Sequence, residues 1–188
     1  QPTETMREYL TLEELKQAMC APSPHQGVKN AFVFSCFTGL RLSDIRTLTW
    51  NDISKAPDGK TMFVRTRMQK TQRLINIPLS NEALNCLDKK EDANEPIFDL
   101  PTTSNVERNL KMWLEGANIT KHITFHCARH TFATMMLTLG ADIYTTSKLL
   151  GHCNLATTQV YAKIVDQKKI ETVNLVDDFF GKNNREEK

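Results

Sequence analysis

Apolar positions along the chain fall into blocks whose spacing changes from helical to alternating and back. Thr11-Leu12-Glu13-Glu14 has the form of a capping box, with a glutamate three residues beyond the threonine. It predicts a helix through about Cys20 with Leu12, Leu15 and Met19 on one face, and Pro22-Ser23-Pro24 interrupts it. Val28 to Phe37 is almost wholly apolar and long enough for a buried helix, which Thr38-Gly39 ends. Ser43-Asp44 predicts the cap of a short helix carrying Ile45, Leu48 and Trp50. The period then shortens. Thr61 to Thr66 and Arg73 to Ile77 are β-rich and flank Lys70-Thr71-Gln72. Asp58-Gly59 is a turn signal joining an earlier strand around Asp52 to Ser54. The result is a small antiparallel sheet that Pro78 closes.

Helical spacing resumes afterwards. Ser80 caps a helix to about Asp88, a polar loop covers Lys89 to Pro96, and Thr103 or Ser104 begins a helix reaching Gly116. From Thr124 a helix carries Phe132, Met136 and Leu137 as its core stripe and stops at Gly140. Asp142 caps another that ends at Leu150-Gly151, and Asn154 to Ala162 forms a short one. A last amphipathic segment, Asp166 to Phe180, presents Ile170, Val173, Val176, Phe179 and Phe180, before a polar tail after Gly181. The fold class is therefore α+β: mainly α-helical with one small antiparallel β-sheet.

Bulk properties narrow the reading without deciding it. The 188 residues suffice for one domain with a real core, and 40% hydrophobic with 24% charged residues is ordinary for a globular chain. The formal net charge of +2 is weak support for a nucleic-acid partner. Local charge is stronger, since Lys60, Arg65, Arg67, Lys70 and Arg73 follow one another with no acid between them. The five cysteines, Cys20, Cys36, Cys86, Cys127 and Cys153, are scattered and contain no Cys-x-x-Cys, which suits free thiols in a reducing compartment. No apolar run is long enough to span a bilayer and no signal peptide opens the chain. A cytoplasmic location, in bacteria at the nucleoid, and no membrane partner are the expectations.

Taken singly, the polar residues that stand out have ordinary explanations. Arg41 follows a Gly-Leu turn and can cap a helix C-terminus. Lys70 can be a solvated lysine in a strand connection. His126 and His130 lie one helical turn apart, a spacing that also suits a metal, yet no glutamate completes a zinc-protease pattern and no metal site is expected. Tyr161 can be a tyrosine at the edge of the core. Taken together they form a different pattern: Thr38-Gly39-Leu40-Arg41-Leu42-Ser43-Asp44, then Lys70 between two strands, then His126-Cys127-Ala128-Arg129-His130, then Leu149-Leu150-Gly151-His152, then Tyr161. Two arginines, a lysine and histidines suit a phosphate that gains charge in a transition state, and a tyrosine hydroxyl is a usable nucleophile once its weak acidity is overcome.

In this order and spacing the boxes, from about Thr11 to Lys163, resemble the catalytic domain of the tyrosine recombinase (phage-type integrase) family. Cys127-Ala128 stands where members often carry Asp-Leu, a departure that touches packing around Arg129 and removes no member of the catalytic set. The resemblance implies a DNA breaking-rejoining enzyme that needs neither metal nor ATP nor any other cofactor. Tyr161 would attack a scissile phosphodiester to give a 3′-phosphotyrosine and a free 5′-hydroxyl. Arg41, Arg129 and His152 would hold the nonbridging oxygens, Lys70 would protonate the leaving oxygen, and His126 would take or return the tyrosine proton. Asp44 would support Arg41, or serve only as a helix N-terminal carboxylate. His130 would be a buried structural partner. Arg41, Lys70, Arg129, Arg65, Arg67 and Arg73 would bind DNA.

The implied role is site-specific recombination of double-stranded DNA, with integration or excision of a mobile element first. A chromosome-resolution Xer-like recombinase, a topoisomerase-IB-like strand relaxer and a catalytically inactive DNA-binding module are the alternatives. Residues 1–188 read as a single catalytic domain, with a core over 11–163, the amphipathic segment over 164–180 and a tail over 181–188. Family members carry an N-terminal core-binding domain; none fits before Thr11, so the chain reads as part of a longer enzyme. The amphipathic segment would either join neighbours in a homotetramer on DNA, leaving a monomer without DNA, or pack on its own core.

Overall fold

The computed structural model describes residues 8–152, 154–163, 165–166, 170 and 173. The helices and strands follow in the order α1 (Leu12–Cys20), α2 (Gln26–Thr38), α3 (Leu42–Arg46), β1 (Ile53–Lys55), β2 (Met62–Arg67), β3 (Leu74–Leu79), α4 (Asn81–Leu84), α5 (Thr103–Gly116), α6 (Cys127–Thr138) and α7 (Ile143–Leu149). A further helical run, α8, covers 156–163. The mainly helical class with one small antiparallel sheet is the one the sequence predicts.

The capping box at α1 forms as its spacing requires. The Thr11 hydroxyl accepts from the Glu14 amide at 3.2 Å, and the Glu14 carboxylate accepts from the Thr11 amide at 2.8 Å. The apolar helix α2 is the axis of the core. It packs against α3, α4, α5, α6 and β3, and its residues Val28, Phe32, Phe34 and Cys36 are all buried. Phe32 meets Trp113 of α5 and Phe125 edge-on, with centroids 5.9 and 5.6 Å apart. The Trp113 indole N–H donates to the Ala18 carbonyl at 3.1 Å, which ties α1 to α5.

The sheet has the order β1-β2-β3, and the β2–β3 register pairs Val64 with Ile77 and Arg65 with Asn76. Val64, Ile75, Ile77 and Leu79 are buried against the helices, while Arg65 and Arg67 are exposed. Pro78 does not close the sheet as the sequence suggests; it lies inside β3, opposite Phe63. β3 is an edge strand, where a residue without an N–H need not break a ladder.

Three helix boundaries also differ from expectation. Arg41, not Ser43, is the N-cap of α3, and Asp44 is the third helical residue, so Leu48 and Trp50 lie beyond the helix end. The helix after Ser80 stops at Leu84, well short of Asp88. There Asn30 donates to the Asp88 carboxylate at 3.0 Å and the Trp50 indole to its carbonyl at 3.1 Å, which draws the chain off the helical path. α6 begins at Cys127 rather than Thr124, because the preceding turn closes through Cys127, Ala128 and Arg129 amides donating three residues back. The caps at Ser80 and Asp142 form as read, with amide contacts of 3.2 and 2.8 Å. Cys153, most of the 164–180 segment and the 181–188 tail lie outside the described residues. Among the described residues no helix is long and apolar enough to cross a membrane.

Candidate active site

Four chain segments meet at the C-terminal end of α2. Gly39 leaves the helix at φ 73°, and its α-carbon sits against Phe132 and Leu150, where an added Cβ would come within 2.8 and 3.0 Å of their side chains. Arg41 follows and caps α3, its amide donating to Asp44 Oδ2 at 3.2 Å. The other Asp44 oxygen, Oδ1, accepts from the Gln69 amide at 2.7 Å. One buried carboxylate thus joins the start of α3 to the β2–β3 loop, next to Lys70.

The loop itself is tightly specified. The Met68 amide donates to Arg73 O at 2.9 Å and the Gln72 amide to Met68 O at 2.8 Å, with Gln72 in the left-handed region at φ 55°. Arg67 Nη1 donates to the Gln72 carbonyl at 3.1 Å. Met68 is buried and anchors the loop on Gly151, whose φ is 63° and whose absent Cβ would stand 2.5 Å from Met68 Sδ. Lys70, at the loop tip, is exposed.

From α6, Arg129 reaches across the same junction. Nη1 donates to the Gly39 carbonyl in a short hydrogen bond, Nη2 donates to the Leu150 carbonyl at 3.0 Å, and Nη2 also lies 3.3 Å from His152 Nε2. A guanidinium has only donors, so Nε2 accepts there and the ring proton is assigned to Nδ1, which donates to the Thr158 hydroxyl at 2.8 Å. Burial, and next the positive charge of Arg41, lower the Arg129 pKa to about 10. It stays charged at neutral pH. Tyr161, on α8, is only 3% exposed, and its hydroxyl lies 2.5 Å from His130 Nδ1. With the His130 ring proton on Nε2, Oη donates to Nδ1. The His126 ring stands edge-on to His130 with centroids 4.8 Å apart.

Arg41, Lys70, His126, Arg129, His152 and Tyr161 line one cavity of about 280 Å³. These six are the residues the sequence places in the catalytic set. Thr71 and Thr157 line it too; Thr157, one helical turn before Tyr161, reads in the sequence as a residue that shapes the tyrosine's helix, and Thr71 has no sequence signal beyond its adjacency to Lys70. Arg41 Nη1 is buried and has no hydrogen-bond partner among the described residues. Sequence reasoning puts the tyrosine proton with His126, which lines the cavity with Tyr161; the geometry also brings His130 Nδ1 to that hydroxyl. Arg65 and Arg67 lie outside the cavity on the exposed side of the sheet. Arg73 lines an adjoining groove of about 350 Å³ with Tyr144, Lys148 and His152. Among the described residues no group of His, Cys, Asp or Glu is disposed to hold a metal ion.

Comparison with known proteins places this arrangement. Residues 8–168 match the model of the "Phage integrase family". A tyrosine recombinase of Thermosipho africanus is 32% identical over 175 residues, which cover 88% of this chain and 60% of that protein. The chain therefore spans less than two thirds of that relative's length. The crystal structure of XerA recombinase superposes with a TM-score of 0.66 at 25% identity, covering 86% of this chain and 60% of that one. The catalytic domain of bacteriophage HP1 integrase superposes with a TM-score of 0.64 at 21% identity, covering 90% of this chain and 95% of that domain.

Proposed function

The chain belongs to the phage integrase family, the tyrosine recombinases, and on that premise we propose that it cleaves and rejoins DNA strands through a covalent phosphotyrosine at Tyr161. The observation that carries the reading is the convergence of two guanidiniums, a lysine, two histidines and the tyrosine on one cavity, with a buried Arg41 nitrogen left for an anion.

An ordinary tyrosine hydroxyl titrates at about 10, so attack at neutral pH needs a base. His130 Nδ1 is placed to take that proton as the Oη–P bond forms. The bond from phosphorus to the 5′ oxygen breaks, and Lys70 gives that oxygen its proton, since an alkoxide leaves poorly. Charge gathering on the nonbridging oxygens is met by Arg41 and by the Arg129 donors that remain. Rejoining is the reverse, with a 5′-hydroxyl as nucleophile, so the phosphodiester energy is kept in the tyrosine ester and no ATP is consumed. The partner is double-stranded DNA. Exchange between two duplexes cuts four strands with one tyrosine each, so the assembly this chemistry asks for is a homotetramer on DNA.

The test is covalent trapping. Nicked duplexes with a randomised core are incubated with the chain, and SDS-resistant adducts are recovered, sequenced and mapped. Wild type should yield adducts at Tyr161; Tyr161→Phe should yield none while still binding DNA. Adducts that survive that change would refute the assignment. Lys70→Ala should be rescued on a substrate with sulfur at the bridging 5′ position, because a thiolate leaves without a proton. The recovered sequences would separate a mobile element's attachment site from a chromosome-resolution site, and relaxation of supercoiled plasmid without recombinants would mark a strand relaxer.

A further inference from the structure

We infer that Thr71 is a phosphate-binding residue, its hydroxyl donating to a nonbridging oxygen of the phosphodiester that Tyr161 attacks. The inference deepens the proposed reaction and rests on it. Among the described residues three buried side-chain polar atoms have no hydrogen-bond partner: Arg41 Nη1, Thr71 Oγ1 and Thr134 Oγ1. Thr134 lies on α6 outside the cavity, whereas the other two line it together. A buried hydroxyl without a partner costs stability and is rare, so two orphans of complementary use in one cavity point to a common ligand.

The loop around Thr71 makes the orphan more telling. Its neighbours settle their polar groups locally: Gln69 Nε2 donates to Thr47 Oγ1 at 3.3 Å and Gln72 Nε2 to Gln69 O at 2.9 Å. Threonine in a loop ordinarily does the same with nearby backbone. Thr71 does not, and its Oγ1 is out of contact with solvent.

The ligand must accept hydrogen bonds and carry negative charge, because Arg41, Lys70 and Arg129 beside Thr71 offer only donors. Much of that donor capacity is already directed elsewhere. Arg129 gives N–H groups to Gly39, Leu150 and His152, and His152 Nε2 accepts rather than donates. A phosphodiester's two nonbridging oxygens therefore find fewer donors than the residue list suggests. A neutral hydroxyl adds one without adding repulsion to the Arg41–Arg129 pair.

Thr71→Val removes the hydroxyl at nearly constant shape, and Thr71→Ser keeps it. Inorganic phosphate binding, titrated by calorimetry at constant ionic strength, should weaken roughly tenfold or more for Val and stay within about threefold for Ser. Equal binding by wild type and Val, equal weakening by Ser and Val, or no phosphate binding by wild type would each overturn the inference. This arm involves no cleavage, so failure of the recombinase reading would leave it decisive. On a duplex that wild type cleaves, scissile methylphosphonates of opposite configuration provide a second readout. The Val defect should vanish on the diastereomer that lacks the contacted oxygen and persist on the other. An equal defect on both would mean that Thr71 acts only through loop structure.

Discussion

Arg129 and Arg41 carry the same charge into the same cavity but stand in opposite relation to the fold. Arg129 joins the Gly39 and Leu150 carbonyls and His152, so it holds the end of α2, the end of α7 and the Gly-His turn together. Arg41 Nη1 has no such partner. A lysine at 129 has one point of charge and cannot hold three acceptors in fixed directions. Arg129→Lys should leave a buried carbonyl unpaired and lower stability by about 2–4 kcal/mol in denaturant titration. Arg41→Ala should leave stability unchanged or raise it, since it removes a like charge from beside Arg129 while abolishing adduct formation. Similar destabilisation by both would contradict this division. The pH dependence has a definite sign. The Arg129 pKa lies near 10 in the fold, well below the ordinary guanidinium value, so charging it opposes folding below pH 10, and that penalty fades as pH rises above 10. A bound oxyanion should offset the penalty at neutral pH.

At the level of elements, the β2–β3 loop is held in two places, by Asp44 at Gln69 and by Met68 on Gly151. Asp44→Asn offers one carboxamide oxygen where two carboxylate oxygens now accept. The Gln69 amide should exchange at least tenfold faster, and the cleavage defect should shrink on the bridging-sulfur substrate, because what loosens is the placement of Lys70. Gly151→Ala meets both a left-handed φ and Met68 Sδ, and should cost roughly 2–3 kcal/mol. Met68→Ala in the same chain should recover part of that, a coupling measurable in a double-mutant cycle. These ties explain what the sequence made legible. Local polar spacing announced the α1 capping box, the caps at Ser80 and Asp142, and the order of the charged boxes around Tyr161. The bond from Asn30 to Asp88 spans 58 residues, so the early end of α4 had no local signature. The N-cap at Arg41 is local, three residues before Asp44, but an arginine side chain has no acceptor to mark it as a cap. Pro78 reads as a stop until the strand order makes β3 an edge. His130 and His126 lie one helical turn apart, and only the placement of α8 shows that His130 meets the hydroxyl.

Across the whole molecule the charge is nearly balanced, +2 in 188 residues, so a nucleic-acid partner must be drawn by where the cations lie. Arg41, Lys70 and Arg129 converge on the cavity; Arg73 and Lys148 line the groove beside it; Arg65 and Arg67 face outward from the sheet. Each cation that neutralises a phosphate on duplex DNA releases condensed counterions, so log affinity falls with log salt at about −0.9 per contact. Arg65→Ala and Arg73→Ala should therefore each weaken binding at low salt by a similar factor on any duplex sequence, and each should flatten the salt slope by about one. Among the described residues neither side chain makes a hydrogen bond that its loss would break, so thermal stability should hold. Arg67→Ala should behave differently. It also removes the contact to the Gln72 carbonyl, and so should loosen the loop that carries Lys70 as well as flatten the slope. Lys111→Ala on α5, outside both the cavity and the groove, should leave the slope unchanged. Fluorescence anisotropy on a nonspecific duplex from 50 to 200 mM salt measures all four variants; equal slopes for Arg65→Ala, Arg73→Ala and wild type would remove the sheet from the DNA-binding surface and confine it to the cavity.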